Sequence, residues 1–334
     1  MIKEAISVLG QYNKVLVTGG LGFIGTHLVN ELLSLKKDVI IVDNYGTALH
    51  RSIPQGVTFI EADIRHPQQI AEAVKGAELI FHVAANSNGS ISVENPRFDF
   101  EINAVGTFNV LEGALKAGAK RVLYVSSASV YGNPQYFPMD EQHPTKPFVP
   151  YGCSKLSGEL ECLSFLYAKG LPVVMARPFC VYGPGENPKI ALVEVSRYLR
   201  WHLNRQPIQI VGDMKNKTRD FVHVSDLVQG LLFIADKAAA GEVFNVGSGE
   251  EISMESLVDI IGQVTGQAPR VHQISEITTD TYRLVANIAK LRSLGYAPRV
   301  SLVDGVRELV HELGEHPELP SGSTIFEQGQ QAET

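Results

Sequence analysis

From Lys14 onward, short runs of apolar and β-branched residues alternate with longer segments of mixed polarity. The apolar runs contain few polar positions, which is typical of strands buried on both faces of a parallel sheet. Repetition of strand and helix in this order predicts a doubly wound α/β domain. The predicted strands read KVLVTGG, DVIIVDN, VTFIEADI, ELIFHVAA, KRVLYVSS and PVVMARP, and the predicted helices span residues 26–36, 67–74, 96–117 and 151–168.

The regular alternation of strands and helices ends at Pro178, after which helical and extended segments follow one another without a regular order. We therefore expect a large domain over residues 1–178 and a smaller mixed α/β lobe over 179–314, with 243–247 able to return to the large sheet. The last residues, 315–334, are rich in Pro, Gly, Ser and Gln without periodicity and are expected to be mobile. The lobe's predicted helices lie at 190–204, from Ser225, at 253–265 and at 301–313.

The composition is that of an ordinary globular protein, with 334 residues, 44% apolar and 19% charged. A net charge of −7 without a basic run argues against a nucleic-acid partner and leaves anionic ligands to local arginines and helix ends. The three cysteines (Cys153, Cys162 and Cys180) suit neither a disulfide framework nor a metal site. No signal peptide or membrane-spanning run is recognisable, so we expect a soluble protein of the reducing cytoplasm.

The stretch VLVTGGLGFIG places Gly20, Gly22 and Gly25 in G-x-G-x-x-G spacing, with Gly19 directly before them. Glycines in such a turn let the backbone approach a pyrophosphate, which then lies at the N-terminus of the following helix. The glycine pattern alone is weak evidence. Its position between the first predicted strand and a predicted helix is the context that a dinucleotide-binding motif requires.

Asp43 ends the second predicted strand, about 20 residues further on, where a carboxylate binds the ribose hydroxyls of NAD. It would repel the 2′-phosphate of NADP, and no arginine stands beside it in the sequence, so NAD is the expected cofactor. Taken alone, Asp43 is equally well explained as a turn residue before Asn44. Asp63 ends the third strand, where the adenine would lie.

In YGCSK, Tyr151 and Lys155 are four residues apart and so share one face of a helix. An isolated Y-x-x-x-K is usually a solvated surface pair. The other motifs of the chain decide whether this pair has a chemical role.

The ordered motifs TGGLGFIG, HVAA, NAVGTFNVLEGA, VSSASVYG, PYGCSK, ARPFCVYGP, TRDFVHVSDL and FNVGSG closely resemble those of the extended short-chain dehydrogenase/reductases. Within that group the chain resembles the NAD-dependent nucleotide-sugar epimerase/dehydratase family over residues 14 to 313. The resemblance implies a Rossmann-like fold, bound NAD and a nucleotide-sugar substrate. It also implies cofactor contacts from Gly19, Gly22, Phe23, Ile24, Gly25, Asp43, Asn44, Asp63, Ile64, Ala84, Ala85, Tyr151, Lys155 and Pro178.

By the same resemblance, Tyr151 is the acid/base, Lys155 is its partner and Ser127 hydrogen-bonds the reacting sugar hydroxyl. A free phenol has a pKa of about 10 and is a poor base at neutral pH. A neighbouring ammonium and an oxidised nicotinamide would lower the pKa of Tyr151 toward the operating range.

The residues after Ser127 indicate which reaction to expect. The family's 4,6-dehydratases have Asp-Glu there and the decarboxylases tend to have a glutamate, whereas this chain has Ala128 and Ser129. SSASVYG instead resembles the SSATVYG of the epimerases. We therefore expect a 4-epimerase of a UDP-hexose or UDP-hexuronic acid that proceeds through a transient 4-keto sugar, with Ser127 and Ser129 among the substrate contacts. A dehydratase, decarboxylase or ketoreductase of the same family is the alternative, followed by a non-catalytic dinucleotide sensor.

Three further positions bear on the substrate. Cys180 stands where relatives have an asparagine that contacts the diphosphate, and Glu276 stands where many hexose epimerases have an arginine. Arg219 matches a diphosphate-binding arginine, and Arg283 can replace the one missing at 276. All of these except Glu276 are expected substrate contacts. Finally, helices 96–117 and 151–168 correspond to the family's four-helix dimer interface, so a homodimer is expected unless these helices are buried within the monomer.

Overall fold

The computed structural model describes residues 9–49, 51–87, 89–190, 193–275 and 281–320. The strands are β1 (Lys14–Thr18), β2 (Asp38–Asp43), β3 (Val57–Glu61), β4 (Leu79–His82), β5 (Arg121–Val125), β6 (Val173–Pro178), β7 (Cys180–Tyr182), β8 (Ile208–Val211), β9 (Thr218–Arg219), β10 (Phe221–His223), β11 (Val243–Val246), β12 (Ile252–Ser253), β13 (Val271–Ile274) and β14 (Arg283–Leu284). The helices are α1 (Phe23–Ser34), α2 (Pro67–Ala73), α3 (Gly89–Glu94), α4 (Pro96–Phe100), α5 (Gly106–Ala117), α6 (Pro150–Lys169), α7 (Glu194–Leu203), α8 (Val224–Lys237), α9 (Met254–Thr265), α10 (Ala289–Ser293) and α11 (Leu302–Leu313).

Within these residues, seven parallel strands form one sheet in the order β11-β6-β5-β4-β1-β2-β3. Its strands are apolar on both sides because Val15 and Val17 face one layer of helices while Leu16 faces the other. This is the doubly wound architecture predicted from the apolar runs. The chain moves outward from β1 through β2 to β3 and then crosses to β4 on the opposite side of β1. Ligands of such folds bind at this reversal of strand order, outside the carboxyl ends of the strands.

Residues beyond 178 also contribute to the large sheet. β11 pairs in parallel with β6, with Val243 opposite Met175, and so lies in the large sheet instead of the lobe. α8 precedes β11 and packs Leu227 and Leu231 into the same apolar cluster as β1. The chain therefore enters the lobe after β6 and returns to the large domain through α8 and β11, which complete the large sheet.

Two helices differ in detail from the sequence prediction. The first helix begins at Phe23, not Thr26, because Gly22 is extended and its carbonyl accepts the first helical hydrogen bond, from the amide of Thr26. The segment predicted as one helix over 96–117 consists of α4, a π-helical turn at Glu101–Val105 and α5. The wider turn changes the direction in which the side chains after α4 point.

The lobe is built around its own apolar core. In the part of the lobe that the structure describes, β7 pairs with β10, β8 with β13, and β9 lies between β12 and β14. Helices α7, α9 and α11 cover these small sheets and supply much of the core. Among the described residues, no helix combines the length and apolar character needed to cross a bilayer. The expected mobile tail lies largely outside the described residues, from 321 to 334.

Candidate functional site

A groove runs across the carboxyl ends of the central strands. It consists of two cavities, of about 280 Å³ and about 430 Å³, which share Gly19, Thr47, Ala84 and Ala85 and are therefore continuous. The smaller cavity reaches Ser127, Tyr151, Lys155 and Pro178, and the larger one reaches Asp43, Asn44, Asp63 and Ile64. The groove thus lies where the order of strands reverses.

The middle of the groove is formed by the glycine turn between β1 and α1. Gly19 has a φ of +70°, and a Cβ atom there would lie 2.8 Å from the backbone of Ala84. A Cβ atom on Gly25 would collide with the carbonyl of Gly19. Only glycine fits at these two positions, so the turn brings bare backbone to the floor of the groove.

The N-terminus of α1 opens into this groove. Gly22, Phe23 and Ile24 line the smaller cavity, and no side chain caps the first turn of the helix. Its unpaired N–H groups and the positive end of the helix dipole favour a bound anion. The turn therefore fits the pyrophosphate of a dinucleotide.

Asp43 lies in the wall of the larger cavity. Its Oδ2 accepts a hydrogen bond from the Leu21 amide at 2.9 Å and its Oδ1 accepts one from the Tyr45 amide at 2.7 Å. Burial raises the pKa of Asp43, and these backbone N–H groups oppose the increase. Each carboxylate oxygen retains a lone pair, so the group can still accept hydrogen bonds from ribose hydroxyls.

An arginine lines the same cavity as Asp43, although none stands beside it in the sequence. Arg65 lines the same cavity, two residues after Asp63. Its Nε and Nη2 donate to the two carboxylate oxygens of Asp63 at 3.0 and 2.7 Å. This pairing lowers the pKa of Asp63 to about 2, and Asn44 donates to the same carboxylate at 3.0 Å. The guanidinium group of Arg65 is therefore paired with Asp63, the carboxylate expected near the adenine.

Ser127, Tyr151 and Lys155 meet at the other end of the groove. Ser127 follows β5, and its hydroxyl accepts the Ser129 amide at 3.1 Å. Tyr151 lies in the first turn of α6, which starts at Pro150 with the fixed φ that suits this position. Lys155 follows one turn later and is only 2% exposed.

The surroundings of Tyr151 and Lys155 shift both pKa values. Burial lowers the pKa of Lys155 to about 8, although the carboxylates of Asp99 and Glu159 favour its charged form. Its ammonium lies 4.6 Å from the centroid of the Tyr124 ring. Burial raises the pKa of Tyr151, a hydrogen bond with Ser127 lowers it, and Asp99 raises it. The net effect is a raised pKa of Tyr151, and among these contributions the hydrogen bond with Ser127 is the one that favours the phenolate.

A buried carboxylate behind Tyr151 was not identified from the sequence. Oδ1 of Asp99 accepts hydrogen bonds from Asn86 and Asn103 at 2.8 and 3.0 Å. Its Oδ2 accepts the hydroxyl proton of Ser154 at 2.5 Å. The π-helical turn places Asn103 in this network. The only sequence signal was a group of polar residues within an otherwise apolar helix.

Several cavity-lining residues were not named from the sequence, because some lie outside every motif and others are motif positions to which no role was assigned. They are Gly46, Thr47, Val83, Asn86, Ser87, Ile91, Phe98, Ile102, Val125, Ser126, Phe179, Val181, Glu186, Asn187, Lys189, Ile190 and Val193.

The expected substrate contacts Ser129 and Cys180 lie beside the described cavities. Phe179 and Val181 line the smaller cavity, whereas Cys180, between them, packs against the lobe core. Side chains on an extended segment alternate in this way. Ser129 contributes its amide to Ser127 instead of a side chain to the cavity wall.

The two expected phosphate-binding arginines lie on neighbouring strands of one small sheet. Arg219 ends β9, and Arg283 begins β14, opposite Thr218. Nε of Arg219 is 3.3 Å from Oε1 of Glu194, while Arg283 donates to both oxygens of Glu251 at 2.8 and 2.9 Å. The two arginines therefore belong to one small sheet, each next to a different carboxylate, and neither lines the two cavities described above. Glu276 lies outside the described residues.

Comparisons with known proteins agree with this geometry. A putative UDP-glucose 4-epimerase of Methanocaldococcus jannaschii is 37% identical over 300 residues, which are 89% of this chain and 97% of that protein. An epimerase structure from Methanothermobacter thermautotrophicus has a TM-score of 0.87 at 33% identity, covering 94% of this chain and 95% of that one. UDP-glucose 4-epimerase of Thermus thermophilus in complex with NAD has a TM-score of 0.84 at 30% identity, covering 90% and 98%.

Relatives with other reactions, a UDP-glucuronic acid decarboxylase and a dTDP-glucose 4,6-dehydratase, are also similar. The model of the NAD dependent epimerase/dehydratase family matches residues 15–247, which is more than half of the chain. The chain therefore belongs to the NAD-dependent epimerase/dehydratase family.

Proposed function

We propose that this protein is an NAD-dependent epimerase that inverts C4 of a UDP-hexose or UDP-hexuronic acid through a transient 4-keto sugar. One observation carries the proposal. Ser127, Tyr151 and Lys155 line a single cavity whose opposite wall is the glycine turn at the N-terminus of α1. An acid/base is thus placed beside a dinucleotide-binding turn.

The residues of the groove fit NAD. The N-terminus of α1 would hold the pyrophosphate, Asp43 the adenosine ribose and Lys155 the nicotinamide ribose. When bound, NAD supplies a reversible two-electron acceptor for the sugar carbinol. Preference for NAD over NADP follows from Asp43 together with the pairing of Arg65 with Asp63.

Tyr151 acts as the base that takes the proton of the sugar C4 hydroxyl as the carbinol is oxidised. Ser127 hydrogen-bonds both this hydroxyl and the phenol, and so favours the phenolate. The 4-keto sugar then turns within the cavity and is reduced on its other face. Tyr151 returns the proton to the new C4 oxygen, so that the protein ends the cycle in its starting protonation state.

The residues after Ser127 favour epimerisation over elimination or decarboxylation. Ala128 is buried and Ser129 directs its amide to Ser127, so neither supplies the acid that loss of water or carbon dioxide requires. The dehydratase and decarboxylase reactions remain as outcomes of the test.

Arg219 and Arg283 are proposed to bind the diphosphate from the lobe. Guanidinium groups pair as well with phosphate as with carboxylate, in the same bidentate geometry. Substrate binding then exchanges Glu194 and Glu251 for phosphate oxygens. Cys180 would act only through its packing against the lobe core.

We further propose that the protein works as a homodimer in the cytoplasm. Phe100, Phe108, Leu160 and Tyr167 lie on α4, α5 and α6, and they are 52%, 44%, 61% and 80% exposed. Apolar side chains gathered on neighbouring helices mark a surface that a second copy would cover. The cysteines are free thiols, which suits a reducing compartment.

The reaction is tested by incubating the purified protein with a panel of nucleotide sugars and following C4 by NMR. Inversion at C4 without net NADH is expected, and a deuterium label at C4 should remain there. Loss of water, loss of carbon dioxide or steady NADH release would contradict the proposal and identify the alternative reaction. Exchange of the label with solvent would exclude the carbinol oxidation step.

A further inference from the structure

Glu186 is a buried carboxylic acid in the wall of the smaller cavity, and the reaction described above does not use it. It is 6% exposed and lines the cavity together with Gly22, Phe23 and Tyr151. Its Oε1 accepts the Gly183 amide at 3.1 Å, so the side chain folds back over its own loop. A carboxyl group is thereby fixed in the same cavity as the anion-binding end of α1.

The loop that carries Glu186, residues 183–187, is held on several sides. The Pro184 carbonyl bonds to Nε2 of His27 on α1 at 2.8 Å, and Asn187 donates to the Thr47 carbonyl at 3.3 Å. From the lobe, Glu312 on α11 accepts the Gly185 amide at 2.8 Å. Because both the large domain and the lobe hold this loop, Glu186 has little freedom to leave the cavity.

The charged groups around Glu186 do not neutralise a carboxylate there. Arg200 on α7 faces it, but donates through Nη2 to the backbone carbonyl of Glu186 at 3.4 Å and through Nη1 to that of Glu318 at 2.8 Å. Glu312, which accepts the Gly185 amide, repels a negative charge on Glu186, while Lys155 and Tyr151 line the cavity from α6. Burial raises the pKa of Glu186 to about 8, with Arg200 opposing and Glu312 adding to the shift.

We propose that Glu186 forms this wall of the cofactor groove as a neutral acid, and that its ionisation weakens NAD binding. The inference rests on the proposed function, because it requires a dinucleotide in the groove. A pyrophosphate at the N-terminus of α1 and a carboxylate in the same small cavity would repel one another where little water remains to screen them. Binding of NAD must therefore take up a proton wherever Glu186 is ionised.

The test compares the NAD affinity of the wild-type protein with that of Glu186→Gln by titration calorimetry from pH 6.5 to 9.5. Glutamine has the shape of the neutral acid but cannot ionise. The variant should bind NAD within about threefold of wild type at pH 6.5 and at least about tenfold more tightly at pH 9.5, since one linked proton changes affinity up to about tenfold per pH unit above the pKa. Lys155, with a pKa of about 8, also titrates in this range. Because both proteins contain Lys155, its contribution to the pH dependence cancels when their affinities are compared.

Glu161→Gln is the matched control. The pKa of Glu161 is also raised, to about 7, but this residue lies on the part of α6 away from the groove. The pH dependence of NAD binding by the variant should therefore remain that of wild type. Titrations of wild type and Glu186→Gln at pH 8.5 in buffers of different ionisation enthalpy give a second readout, the number of protons taken up when NAD binds.

Greater proton uptake on NAD binding by wild type than by Glu186→Gln supports the inference, and equal uptake by the two proteins overturns it. It is also overturned if Glu186→Gln and wild type lose affinity in parallel between pH 6.5 and 9.5. Failure of the proposed function looks different, since the wild-type protein would then not bind NAD even at pH 6.5.

Discussion

At the scale of single residues, Tyr151 is the group on which the proposed chemistry depends. Tyr151→Phe removes the proton acceptor and leaves the ring in place, so kcat should fall by at least the ~10²–10⁴-fold typical of a general acid/base, with little change in KM. Steady-state kinetics with the sugar identified by NMR would measure both. Tyr167→Phe is the matched control. Tyr167 is 80% exposed and lies near the end of α6, whereas Tyr151 lies at its start, so the variant should retain wild-type kcat. Retention of activity in the Tyr151 variant would remove this residue from catalysis.

Cofactor choice rests on Asp43. Because its carboxylate would accept ribose hydroxyls and repel a 2′-phosphate, NAD should bind more tightly than NADP. Asp43→Ala should weaken NAD by roughly 10–100-fold, the range for charged hydrogen bonds. Titration of both cofactors into wild type and variant decides the matter. Equal or tighter binding of NADP by the wild type would show that Arg65 can leave Asp63 to meet the extra phosphate.

Ser127, Tyr151 and Lys155 could be named together from the sequence, because Tyr151 and Lys155 share a helical spacing and the resemblance to the family assigns a role to all three. Arg65 and Glu186 had no such signal. Arg65 reaches the cavity of Asp43 only because β2 and β3 are adjacent in the sheet. Glu186 reaches the smaller cavity because hydrogen bonds to the large domain and to the lobe set the path of its loop. Long-range placement of this kind leaves no local pattern in a single chain.

At the scale of elements, β9 brings Arg219 next to α7. Glu194 begins that helix, and the neighbouring Arg219, Arg197 and Lys217 lower its pKa to about 2, although burial opposes them. If Arg219 binds the diphosphate equally in ground and transition states, Arg219→Ala should raise KM by roughly 10–100-fold with a smaller change in kcat.

The control for Arg219→Ala is Arg307→Ala, which removes an exposed ion pair with Asp304 on α11 and should leave KM unchanged. Thermal melts of both variants show whether loss of a partner for Glu194 unfolds the lobe. A normal KM in a folded Arg219 variant would exclude this arginine from the substrate site.

α6 contains a second unusual acid, Glu161, whose Oε2 is buried without a hydrogen-bond partner. Burial raises its pKa from 4.5 to about 7. Between these values the unfolded chain has released a proton that the folded protein retains, so stability is fully present below pH 4.5 and is lost as pH rises through 7. Glu161→Gln should therefore melt roughly 1–3 °C above wild type at pH 8, with a smaller difference at pH 4.5. An equal difference at both pH values would mean that protonation is not the cause.

Strands were predicted best where they consist of a continuous run of apolar residues. All six strands predicted before residue 178 lie in the large sheet, since continuous apolar runs leave few alternatives. The allocation of β11 could not be decided, because four residues of strand pattern fit a lobe or a parallel sheet equally well. The pairing of β11 with β6, together with the packing of α8 on the large sheet, shows which partner β11 takes.

At the scale of the whole molecule, the groove joins the two lobes. The glycine turn after β1 and Tyr151 on α6 line it from the large domain, the loop at 183–187 contacts both the large domain and the lobe, and the lobe carries Arg219, the proposed diphosphate ligand. In the proposed reaction, the lobe holds the diphosphate while the 4-keto sugar turns within the cavity, so the sugar does not leave the protein. This division of roles explains why one family can invert, dehydrate or decarboxylate related sugars by changing a few residues after Ser127.

The proposed dimer is the last property that belongs to the whole molecule. Leu160, on α6, is 61% exposed in a single chain, so Leu160→Glu should cost the monomer little, yet it would place a charge in the apolar contact of a four-helix interface. We expect wild type to sediment as a dimer and Leu160→Glu as a monomer in analytical ultracentrifugation over a concentration series. Val271→Glu is the matched control, because Val271 is an exposed apolar residue on β13 in the lobe, and it should remain dimeric. A wild-type monomer at every concentration would refute the dimer, and a dimeric Leu160→Glu would place the interface on another face of the molecule.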